Sequence, residues 1–174
     1  MSGRDLPSID YYLCPGDIYL SHELSLVSTV LGSSVAVSLW DSERMLGGMV
    51  HFLYPFTADR RMATARYGNV AVRGLVKMLL EDGSREKDLK AQLFGGAQSA
   101  AAACVKNARE NIRMARMILR SRHIALLSED TGGSMGRKVI YNTHTNETLV
   151  YKVNHLRRGD WYPYIHEGKN AEKD

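Results

Sequence analysis

Val35, Val37 and Leu39 alternate with Ala36, Ser38 and Trp40, the period of two expected of a strand with unlike faces. Comparable runs fill the first third of the chain: DIYL at 17–20, SLVSTV at 25–30, VAVSLW at 35–40 and LGGMVHF at 46–52. The polar stretch DSERM at 41–45 predicts a hairpin turn between the last two. The period then lengthens. From Thr64 to Asp82, residues Tyr67, Val70, Ala71, Leu75, Met78 and Leu79 recur every three or four positions, and Gly83 stands where a helix would be capped. LKAQLFGG at 89–96 reads as a strand ending in a glycine pair. A second helix is expected from about Ala100 to Arg122, with Ile112, Ala115, Ile118 and Leu119 inward and Arg109, Arg113, Arg116 and Arg120 opposite. HIALLSED, a turn TGGSMGR, and the runs KVIYNT and ETLVYKV return the chain to strand, the last pair as a hairpin.

Strands outnumber helices, and one strand separates the two helices. That order predicts an α+β fold with mostly antiparallel sheets and both helices on one face, not regular βαβ alternation. The length, 174 residues, predicts one domain spanning 1–174 with its core at about 11–166. The polar ends, 1–10 and 167–174, are expected to be loose.

Composition narrows the class. Hydrophobic residues make up 44% and charged residues 24%, as in ordinary soluble proteins. The first ten residues hold no apolar stretch, and no run nears the roughly 18 apolar residues of a membrane helix. Cys14 and Cys104 lie far apart without metal-type spacing, so a cytoplasmic setting is expected, without disulfides or membrane insertion. A net charge of +4 is only mildly basic and gives no compositional case for nucleic acid. The six histidines form no HxxxH or HExxH pair, so neither a metal nor a cofactor is expected.

Several stretches have two readings. TGGSMGRK at 131–138 has backbone amides for a phosphate, but it lacks Walker spacing and precedes a strand; a glycine turn is the commoner meaning. FGGA at 94–97 suits an anion or tight strand-to-helix packing equally well. The arginine stripe fits an acidic partner, although a solvated helix face is more usual. Ser34 begins one arm of the predicted hairpin and His51 ends the other, which brings them within cross-strand reach. A hydroxyl beside an imidazole is a minimal nucleophile–base pair, and a buried histidine beside a turn serine has the same spacing.

TVLGSSVAVSLWD, GGMVHFLYP, RYGNVAV, LFGGA, NIRMARMIL and DTGGSMGRKVIYN occur in this order and spacing over about residues 15–153. Together they resemble the chemoreceptor glutamine deamidase family CheD. The resemblance implies a three-layer α/β/β fold similar to the catalytic domain of cytotoxic necrotizing factor toxins. It also implies conversion of selected glutamines of methyl-accepting chemoreceptors to glutamate with release of ammonia, and in some members binding to a CheC-like phosphatase. The family's nucleophile is a cysteine after LGS, where this chain has Ser34. Its base matches His51, seventeen positions later, and its orienting hydroxyl, six before the nucleophile, matches Ser28, with Thr29 adjacent. Gly32, Ser33 and Thr29 are the implied substrate and oxyanion positions.

Serine is the wrong nucleophile for this chemistry. A thiol titrates near 8.5 and falls further beside an imidazolium, whereas an alcohol must lose its proton as it attacks. Weak or absent deamidation is therefore expected. Three origins stay open: a natural homologue that kept binding, an engineered nucleophile variant, or a serine amidase. Ser38, where related chains often carry a second cysteine, favours natural drift. Cys14 and Cys104 match no catalytic position, and Cys104 is expected to pack within the second helix.

Overall fold

The computed structural model describes residues 8–98 and 102–156. Its strands are β1 (Ile9–Tyr12), β2 (Ile18–Ser21), β3 (Ser25–Leu31), β4 (Val35–Asp41), β5 (Leu46–Phe52), β6 (Leu89–Gly95), β7 (Ala125–Thr131), β8 (Gly136–Asn142) and β9 (Thr148–Val153). Its helices are α1 (Gly68–Glu81) and α2 (Ala102–Ser121).

The strands form two sheets, ordered β1-β3-β8-β9 and β2-β5-β4-β6-β7. The pairings β1–β3 and β6–β7 are parallel and the rest antiparallel, so the fold is the mostly antiparallel α+β arrangement that the strand-rich pattern predicts. Strand alternation assigns each side chain to a layer. Val35, Val37, Leu39, Val50 and Phe52 face the two helices and pack with Val72, Leu75, Leu79, Ala115 and Ile118. Ala36, Met49 and Phe94 face the other way and meet Val27, Leu31, Val139 and Tyr141 of the four-stranded sheet. Helices, five-stranded sheet and four-stranded sheet thus stack as three layers. Burying the large aliphatic side chains contributes roughly 1.5–3 kcal/mol each before chain entropy is subtracted.

Two boundaries differ from expectation. Ile9 and Asp10, assigned to a loose end, begin the edge strand β1, paired in parallel with Ser25 and Leu26. The short polar-aromatic segment IDYY carries no alternation, and its partner fixes it. The first helix starts at Gly68, not Thr64, because Leu53 and Tyr54 both donate to the Arg66 carbonyl and fold 53–67 into a docked loop. Gly68 sits where a Cβ would come within 2.7 Å of the Phe52 ring. The expectations for residues 1–7, for the start of the second helix at 100–101 and for 157–174 lie outside the described residues. Among the described residues, no helix is long and apolar enough to cross a membrane.

Candidate active site

β3 belongs to one sheet and β4 to the other, so the intervening residues Gly32, Ser33 and Ser34 carry the chain across the gap between them. β4 and β5 form the expected hairpin, with Ala36 opposite His51 and Val35 opposite Phe52. Ser34, one residue before β4, shares the inner face with Ala36, and His51 projects onto that face from β5. Thr29 enters the same layer from β3.

These side chains form one hydrogen-bonded line. Ser34 Oγ is 2.8 Å from His51 Nε2, and His51 Nδ1 is 3.0 Å from Thr29 Oγ1. Thr29 Oγ1 donates to the Leu13 carbonyl at 2.8 Å. A carbonyl only accepts, so the Thr29 proton is committed to it and the hydroxyl oxygen accepts from Nδ1–H. Nε2 then presents its lone pair to the Ser34 hydroxyl, the tautomer a general base needs. His51 is 1% exposed, and burial pushes its pKa down to about 4 against the backbone carbonyl of Leu13 and the charge of Asp17, which favour the cation. The imidazole is therefore neutral at neutral pH.

The loop carrying Ser34 is held by main-chain bonds. The amide of Gly96 donates to the Ser34 carbonyl at 2.9 Å and that of Ala97 to the Gly32 carbonyl at 2.7 Å. Gly96 and Ala97 of FGGA thus fasten the nucleophile loop, and these two amides are not spare for an anion. Gly95, at φ 106°, is in the left-handed region, and a Cβ there would collide with the Ser34 carbonyl oxygen.

Ser34 is only 4% exposed, although it lies on the connection between two strands. Beside its loop lies a cleft of about 330 Å³ lined by Gly32, Ser33, Ser134, Gly136 and the thiol-bearing Cys104. Cys104 is half-buried in α2 and faces this cleft, a contact its alanine-rich surroundings do not announce.

Ser28 and Thr29 divide differently from the family-based expectation. Thr29 touches the imidazole. Ser28 is paired with Ile140 of β8, and strand alternation turns its half-exposed side chain to the other face. Adjacent strand residues point oppositely, so a shift of one position decides which hydroxyl enters the site.

Two contributors left little or no trace in the sequence. Leu13 acts through its carbonyl, which no side chain signals. Asn111 of α2, fully buried, donates to the carbonyls of Ser33 at 3.2 Å and Leu53 at 2.9 Å. Its signal was a polar residue on the apolar stripe that includes Ile112, Ala115 and Ile118.

The other motifs serve the scaffold. Arg137, 3% exposed, reaches Asp130 Oδ1 and the carbonyls of Met135 and Gly132, closing the glycine turn. Arg116 pairs with Glu129 of β7, while Arg113 makes a 3.9 Å contact to Glu110 on the exposed face. Among the described residues no three His, Cys, Asp or Glu side chains come together as a metal would require.

Comparison with known proteins identifies the family, although the matched family model lies C-terminal to Thr29, Ser34 and His51. Residues 55–152 match the family model described as CheD chemotactic sensory transduction. The "Probable chemoreceptor glutamine deamidase CheD" of Trichlorobacter lovleyi is 40% identical over 154 residues, covering 86% of this chain and 95% of that protein. The "Probable chemoreceptor glutamine deamidase CheD 1" of Anaeromyxobacter dehalogenans is 41% identical over 146 residues, with 82% and 84% covered. The "Probable chemoreceptor glutamine deamidase CheD" of Sulfurimonas denitrificans is 32% identical over 145 residues, with 82% and 93% covered. With a family model matched over more than half its length and relatives aligned over more than four-fifths of it, the chain belongs to the CheD family.

Proposed function

We propose that this chain acts in bacterial chemotaxis on methyl-accepting chemoreceptors, through a glutamine deamidase site made of Ser34, His51 and Thr29. The observation that supports this most is the line Ser34–His51–Thr29–Leu13, with the lone pair of Nε2 aimed at the hydroxyl. In the reaction, Ser34 Oγ attacks the glutamine carboxamide carbon while Nε2 takes its proton. The tetrahedral oxyanion rests on backbone amides at Ser33 and Ser34. His51 returns the proton to the departing nitrogen, ammonia leaves, and an ester joins Ser34 to the former glutamine side chain. Water, deprotonated by His51, then cleaves the ester to give glutamate.

The same geometry supports a slow route. The partner of Nδ1 is a neutral hydroxyl, which keeps the tautomer but supplies no negative charge to the imidazolium. Burial opposes that imidazolium as well. A thiol tolerates such a base; an alcohol does not.

That weakness supports a second reading of the same scaffold: an adaptor that binds a receptor helix or a CheC-like phosphatase with little turnover. Incubation with receptor fragments, followed by mass spectrometry for amide-to-acid conversion, tests both. Conversion above that of a Ser34→Ala variant supports residual deamidation, and binding without conversion supports the adaptor. Neither binding nor conversion on any receptor fragment overturns the proposal.

A further inference from the structure

Asn111 sits on α2, in the helical layer, yet both of its amide hydrogens are spent at the catalytic end of the five-stranded sheet. Nδ2 donates to the Ser33 carbonyl at 3.2 Å and to the Leu53 carbonyl at 2.9 Å. Ser33 immediately precedes the candidate nucleophile, and Leu53 follows the candidate base by two residues. Two carbonyl acceptors fix the amide orientation, since only the NH2 end can serve both. Among the described residues its Oδ1 is buried without a partner, an arrangement that costs stability on its own. A fold in need of a core residue here has apolar choices. What Asn111 adds is a donor fork between the nucleophile loop and the base strand.

The consequence lies in the peptide joining Ser33 and Ser34. In a planar trans peptide the C=O and N–H point in opposite directions, and the described chain has no cis bond. Anchoring the Ser33 carbonyl toward α2 therefore turns the Ser34 N–H away from it. Among the described residues, no hydrogen bond occupies that N–H, while the Ser34 carbonyl is taken by Gly96. A fixed, unengaged backbone donor on the nucleophile residue is what a developing oxyanion needs.

We infer that Asn111 is a positioning residue for the reaction, orienting the 33–34 peptide so that the Ser34 N–H serves as oxyanion donor. The inference rests on the proposed acyl-transfer reading of Ser34 and deepens it.

The test compares two reactions in a Ser34→Cys background, with and without Asn111→Leu. Acylation by p-nitrophenyl acetate passes through an oxyanion: the thiol sulfur bonds to the acetyl carbon, p-nitrophenolate leaves, and the thiol proton goes to His51. Alkylation by iodoacetamide displaces iodide without one, so it reads only the nucleophile and base. Peptide mapping separates position 34 from Cys104, which lines the adjoining cleft. Asn111→Leu is expected to slow acylation about tenfold or more, the scale of a misplaced reacting group, and to change alkylation less than about threefold. Asn111→Ser, too short to reach both carbonyls, should behave alike if the leucine variant folds poorly.

Equal losses in both reactions, or none in either, overturn the positioning role, as does a Ser34→Cys protein that resists acylation altogether. Acylation that depends on Asn111 while receptor glutamines stay unconverted leaves the positioning role standing and removes the receptor-deamidase reading.

Discussion

The hydroxyl of Thr29 lies 3.0 Å from Nδ1 of His51 and gives its own proton to the Leu13 carbonyl. One residue of β3 thereby sets the tautomer of a histidine on β5, across the gap between two sheets. Replacing Thr29 by valine keeps the shape and removes the hydroxyl. Two buried polar groups lose a partner, so urea unfolding should show a loss of about 1–3 kcal/mol. In a Ser34→Cys background, acylation by p-nitrophenyl acetate should fall about tenfold or more as the base loses its orientation. Ser28→Ala should change both readouts far less. A larger effect from Ser28 would return the orienting role to the position the family pattern indicates.

Burial of His51 gives the stability of the protein a defined pH dependence. Its folded pKa, about 4, lies below its ordinary value of 6.5, so the unfolded chain takes up the proton first. The stabilisation is fully present above about pH 6.5, falls as the pH drops, and is gone near pH 4. The total is on the order of 3 kcal/mol. The stability difference between the native chain and a His51→Gln variant, measured at about pH 7.5 and about pH 4.5, cancels the carboxylates common to both. It should shift against the native chain at low pH by most of that amount. A difference independent of pH would mean that His51 is solvated or already charged in the fold.

Ser38 is fully buried on the inner face of β4, and its hydroxyl has no hydrogen-bond partner among the described residues. Ser38→Ala removes an unsatisfied group and little volume, so stability should rise by about 1 kcal/mol. A loss of similar size in chemical denaturation would reveal a bonded hydroxyl.

Gly95→Ala should do the reverse. The residue lies at φ 106° with no room before the Ser34 carbonyl. Strain and the displaced carbonyl together should cost about 2 kcal/mol or more and disturb the nucleophile loop. A variant with native stability and native acylation in the Ser34→Cys background would show that the loop is not fastened through β6.

Most of this architecture could be read from the chain. Alternation marked β4 and β5, the polar DSERM marked their turn, and a hairpin of that length brings residue 34 near residue 51. Three- and four-residue spacing marked both helices. The parts that escaped depend on contacts distant in sequence. Ile9–Tyr12 are a strand only because β3 lies beside them. Whether Ser28 or Thr29 enters the site depends on the face β3 turns inward, which its sheet partners decide. The near-complete burial of Ser34 comes from the closing of two sheets over a turn that looks open in isolation. Leu13 acts through a main-chain atom common to every residue.

The central claim is that the scaffold around residue 34 is intact and that oxygen in place of sulfur limits it. The most direct measurement is glutamine-to-glutamate conversion in receptor fragments, followed by mass spectrometry for the native chain, Ser34→Cys and Ser34→Ala. The cysteine variant should convert glutamines at least about a hundredfold faster than the native chain, because a thiol is far more acidic than an alcohol and asks less of a neutral base as it attacks. That activity should vanish when His51 is also replaced, and the native chain should barely exceed the alanine variant. Rapid conversion by the native chain, abolished in Ser34→Ala and not improved by cysteine, would instead identify a working serine amidase and contradict the claim.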